Sequence, residues 1–140
     1  MNRVIGAIFI GGLVFGLGGC TEHGERSCAP GQGVPMAVFT LFFGENIPGR
    51  ANLTEQEWQL FLDNTVSANL PLGYTVLDAH GAWMNPATHR TIQEPSKVVV
   101  AALPDAPASL ASIDRVRTGY QLQFQQQLVG MTVEHACAAF

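Results

Sequence analysis

The sequence predicts an α+β fold, and three observations carry the prediction. Apolar residues recur at strand period in four segments and at helical period in two others. One cysteine, Cys28, precedes the first strand and another, Cys137, follows the last. At 140 residues, 47% hydrophobic and 13% charged, the chain can build one core and is too apolar for disorder.

Residues 36–43 are rich in β-branched and aromatic types and stop at Gly44, which reads as a strand. Both alternating sets are apolar: Met36, Val38, Thr40 and Phe42 on one side, Ala37, Phe39, Leu41 and Phe43 on the other. A strand of that kind is expected at the sheet centre, covered on both faces. Thr54-Glu55-Gln56-Glu57 is a capping box, with Leu53 and Trp58 at the hydrophobic-staple positions. Trp58, Phe61, Leu62 and Val66 continue one helical face until Leu70-Pro71 ends it. Residues 74–83 and 97–103 read as the second and third strands, joined through a long tip around Asn85-Pro86-Ala87-Thr88-His89. After the break at residues 104–107, Leu110, Ile113, Val116, Tyr120 and Phe124 mark a second helix, with Gly119 its weak position. Residues 129–133 alternate as a last strand. The order βαββαβ is the ferredoxin-like plan, a four-stranded antiparallel sheet with two helices on one face.

The first residues stand outside that domain. Arg3 supplies a positive start, residues 4–17 are apolar or glycine, and the stretch ends Leu17-Gly18-Gly19-Cys20. This has the three-part shape of a secretory signal and resembles the bacterial lipobox. The resemblance implies cleavage before Cys20 and acyl chains, palmitate among them, on its thiol and new amino group. The plainer alternatives are an ordinary signal peptide with an incidental cysteine and an N-terminal anchor helix. Thr21 follows Cys20 where aspartate would favour retention in an inner membrane, so the expected location is the outer membrane, facing the periplasm. The expected layout is a signal peptide over 1–19, a lipidated tether over 20–35 and one domain over 36–140.

With Cys20 lipidated, Cys28 and Cys137 form an even pair in an oxidising compartment, most simply a disulfide. In the ferredoxin-like plan the start of the first strand meets the end of the last, so topology and disulfide agree. Seven basic against eleven acidic residues leave no cationic footprint, which argues against nucleic acid as a partner. His23, His80, His89 and His135 are scattered without ligand spacing, so no metal or other cofactor is expected. The candidate catalytic residues are Asp78, His80, Glu94 and Lys97. Asp78 could orient His80 as a general base, with Trp83 walling a cleft. The competing reading is a solvated strand face with cross-strand ion pairs.

Leu41-Phe42-Phe43-Gly44, Glu57-Trp58 with Phe61-Leu62, Tyr74-Thr75-Val76-Leu77-Asp78, Gly81-Ala82-Trp83 and Glu94-Pro95-Ser96-Lys97-Val98-Val99 occur in a fixed order before the terminal cysteine. Together they resemble the bacterial lipoproteins of domain-of-unknown-function family 3574, across roughly residues 36–137. Where members carry a Pro-Arg-Phe-Pro-like stretch after the first helix, this chain reads Ser67-Ala68-Asn69-Leu70-Pro71. The resemblance implies no activity. The expectation is therefore a lipid-anchored envelope lipoprotein, a small binding module whose open sheet face meets a second copy or an envelope protein. The alternative is a cofactor-free enzyme that uses the same face as a pocket.

Overall fold

The computed structural model describes residues 27–140; the stretch expected to be a signal peptide with a lipobox, and Cys20, lie outside the described residues. Strand β1 (Val34–Gly44) is followed by helix α1 (Glu55–Phe61), a π-helical turn (Leu62–Val66) and α2 (Ser67–Asn69). Strands β2 (Thr75–Asn85) and β3 (Arg90–Pro104), helix α3 (Pro107–Phe124) and strand β4 (Gly130–Ala138) complete the chain. All pairings are antiparallel and the sheet order is β2-β3-β1-β4, the ferredoxin-like arrangement.

The helical layer covers one sheet face, and the core lies between them. Ala37, Phe39, Leu41 and Phe43 of β1 and Val99, Ala101 and Leu103 of β3 are buried there. They meet Trp58, Phe61, Val66, Ile113, Val116, Tyr120 and Phe124. Tyr120 sits at the centre of the aromatic contacts, its ring 4.8 Å from those of Phe43 and Phe124 and 5.2 Å from that of Phe61. The Tyr120 hydroxyl donates to the Gly44 carbonyl at 2.8 Å, so its burial leaves no polar atom unpaired.

The capping box forms as expected: Thr54 Oγ1 accepts from the Glu57 amide and Glu57 Oε2 accepts from the Thr54 amide. The buried stripe Trp58, Leu62, Val66, Leu70 advances four residues at a time. A regular helix turns every 3.6 residues, so that stripe would drift off the core. The π turn holds it in place by taking up the extra residue. Gly119 has a packing reason, because a Cβ there would lie 3.1 Å from Thr65 Cγ2. The two helical bodies cross at that point.

Three expectations need correction. β3 starts at Arg90 rather than at residue 97, and residues 90–93 pair with β2 alone. Pro95 made this stretch look like a loop. Its missing N–H breaks no ladder bond here, because the Glu45 carbonyl it would face already accepts from the Leu53 amide. The hairpin tip is correspondingly short, Pro86-Ala87-Thr88-His89, with the Asn85 side chain accepting from the Ala87 and Thr88 amides. Finally, β1 is covered on one face only. Met36 is buried and Val38 and Thr40 half-buried on the other, but Phe42 is 44% exposed.

Cys28 and Cys137 are joined as a disulfide, with Cα atoms 5.7 Å apart across a sequence separation of 109. The pairing of Val34 with Ala138 and Pro35 with Cys137 brings them together. The disulfide thus joins the segment expected as a tether to the C-terminal end of the domain.

Candidate functional site

Asp78 and Lys97 are register partners on β2 and β3, which puts both side chains on the helix-covered face. Lys97 lies beneath the start of α1, 9% exposed. Its Nζ donates to Asp78 Oδ1 at 2.6 Å and to Glu55 Oε2 at 2.7 Å, and lies 3.9 Å from Glu45 Oε1. Glu45 reaches the same place by continuing the odd-numbered alternation of β1 past Phe43. Glu55 arrives as the first residue of α1.

Burial pulls the Lys97 ammonium towards deprotonation, but the hydrogen bonds it donates to Asp78 and Glu55 outweigh it and leave its pKa above the ordinary lysine value. For Glu45, burial pushes the carboxyl pKa up, Lys97 opposes, and the carboxylates of Asp78 and Glu55 add to the rise. A lysine held charged by two hydrogen-bonded carboxylates is a poor nucleophile and a poor base. This cluster ties α1 to the sheet.

His80 stands two residues beyond Asp78 on the same side of β2, exposed, opposite Pro95. Glu94 does not join them. Three residues from Lys97 on an unbroken strand, it points to the opposite face. Its carboxylate lies against Gly44, where a Cβ would come within 2.7 Å of Oε1, and accepts from the Asn46 amide at 3.3 Å. Glu94 caps the end of β1, and glycine at 44 leaves it room.

The structure thus brings Asp78, His80 and Lys97 to one face and sends Glu94 to the other. One concavity lies on the outer side of α3, around Arg115 and Leu122, and another, of about 80 Å³, beside Cys137. Neither is lined by any of the four candidates. Among the described residues no three His, Cys, Asp or Glu side chains gather as metal ligands. His89 occupies the hairpin tip at φ +53°, and His135 Nε2 lies 3.3 Å from Asp105 Oδ2. No helix among the described residues is long and apolar enough to cross a membrane.

The other built surface is the sheet face that no helix among the described residues covers. Leu77, Phe42 and Trp83 stand 51%, 44% and 41% exposed there. Register gathers Leu77, Val98 and Phe42 in one row and Val100 and Thr40 in the next, while Trp83 and Ile92 form a separate pair beyond Ala79–Ser96 and Gly81–Glu94. Trp83 therefore sits on this face and not in a cleft with Asp78 and His80.

A model of the family described as Protein of unknown function (DUF3574) matches residues 39–140. No curated protein matches the chain. Among solved structures, a phage SAM lyase in complex with S-methyl-5'-thioadenosine is similar at a TM-score of 0.57 and 11% identity, covering 81% of this chain and 95% of that one. The same description in the apo state gives 0.50 and 12%, over 83% and 98%. CutA from Synechococcus elongatus PCC7942, complexed with a Bis-Tris molecule, gives 0.50 and 14%, over 77% and 87%. At these identities the likeness is one of fold.

Proposed function

The chain belongs to the DUF3574 family of proteins of unknown function, and from that premise we propose that it is a lipid-anchored envelope lipoprotein whose domain serves as a binding module. Cys20 carries the anchor, the outer membrane is the location, and the uncovered sheet face is the contact surface. The observation that carries the binding role is that face, where exposed Leu77 and Phe42 flank Val98 and Val100 and Trp83 stands exposed farther along β2. Clustered exposed apolar side chains of this kind mark an interaction surface.

The anchor is supported by the sequence from Arg3 to Cys20 and by the Cys28–Cys137 disulfide, which suits an oxidising compartment. Two or more acyl chains hold a protein stably, at about 0.8 kcal/mol for each methylene buried. The test is fractionation of cells that produce the full chain or its Cys20→Ala variant. The full chain should sediment with membranes and be released by detergent but not by salt. The variant should lose the acylated, detergent-released form, and an unchanged distribution would remove the anchor from the account.

A further inference from the structure

We infer that the uncovered sheet face receives a second copy of this chain, packed face to face across a two-fold axis. The inference rests on the binding-module reading above and names its partner. A contact of that symmetry sets residues near its centre against their own counterparts, so a charge there would meet a like charge. The centre of this face is Thr40, Val38, Val98 and Val100, all uncharged and half-buried. Glu134, the register partner of Val38 on edge strand β4, sets the axis nearer Val98 and Val100, and Glu94 is folded against Gly44 beyond the end of β1.

Shape favours another sheet. The concavity on α3 lies away from this face, and the one beside Cys137 touches only its Met36–Ala136 end. Two sheets pack well when their twists match, and a second copy necessarily has the same twist. The size is adequate too. At about 3.3 Å per residue and 4.8 Å between strands, the four strands present roughly 700 Å², close to the roughly 800 Å² each partner gives to a specific complex.

The hairpin supplies an independent argument. Residues 90–93 of β3 run past the end of β1 with only β2 pairing beside them. A two-stranded ribbon is marginal in water by itself, and this one exposes Trp83 and Met84. Trp83 and Ile92 lie on the same face as Leu77 and Val98, beyond Ala79–Ser96 and Gly81–Glu94, where a facing copy covers them.

The test uses two differently tagged full-length copies in one cell, with a photo-crosslinking amino acid in place of Trp83. The control position is Leu122, 78% exposed on α3. Light should join the two tags from position 83 and not from 122. Leu77→Glu should cut that yield at least tenfold, and Thr40→Glu does the same if the first variant fails to form the Cys28–Cys137 disulfide. The proposal is overturned if the tags stay separate, if position 83 joins only a different protein, or if 122 joins the tags equally well. Fractionation is scored on the same cells. Membrane-bound but uncrosslinked protein sinks the second copy alone, and crosslinked but unanchored protein sinks the anchor alone.

Discussion

Lys97 is the residue on which the helix-side chemistry turns. Its removal strands the half-buried carboxylate of Glu45, while Asp78 and Glu55, both largely exposed, keep their contact with water. Discounted for that exposure, Lys97→Met should cost about 1–2 kcal/mol at neutral pH by urea denaturation. The sign with pH follows from the groups. Glu45 has a raised pKa, so its burial costs stability only while it is charged, and the deficit of the variant should shrink as pH falls through and below 4.5. Lys97, with its own pKa raised, stabilises the wild type below 10.5 and ceases to do so as pH rises above that value. Glu57 runs the other way. The Thr54 amide and then Arg50 hold its pKa down at about 2, so its contribution is present above 4.5 and fades as pH falls towards 2. Glu57→Gln should therefore be less stable than wild type at pH 7 and equal to it near pH 2. The capping box was legible from four residues because its partners are local. Glu45 and Glu55 were not, because only the docking of α1 over the end of β1 brings them to Lys97. Glu94 was misjudged with the start of β3: once residues 90–96 are strand, alternation separates it from Lys97.

Among the elements, the crossing of α3 over the first helical body is the tightest feature. Gly119→Val has to push its branches into Thr65 and Phe61, and should cost about 1–3 kcal/mol in denaturant midpoint, whereas the same change at exposed Leu122 should be nearly silent. The sequence pattern identified both helices and their buried faces, since apolar spacing reports directly on burial. It did not reveal the π turn, because a stripe at four-residue steps fits a short regular helix almost as well. Strand β3 was half legible. Its valines read as strand, but Arg90 to Pro95 carries polar residues and a proline that only the pairing with β2 explains.

For the molecule as a whole, order of elements and cysteine placement were enough to reach the topology. The βαββαβ order brings the start of β1 to the end of β4, and the disulfide closes there. A bridge across that separation constrains the unfolded chain strongly, by up to about 4.7 kcal/mol for loops near this length. Replacing Cys28 and Cys137 together by serine should lower the unfolding free energy by roughly 3–5 kcal/mol, measured against the oxidised full chain. The uncovered face was half visible in the sequence. The even-numbered apolar residues of β1 announced it, but the chain could not say that its own helices would leave that side bare. Holding such a domain at a membrane is the central claim, and the mass of its amino-terminal peptide tests that claim most directly. Protein taken from membranes should begin at Cys20 and carry acyl chains; a peptide that begins at Met1 with an unmodified Cys20 would contradict it.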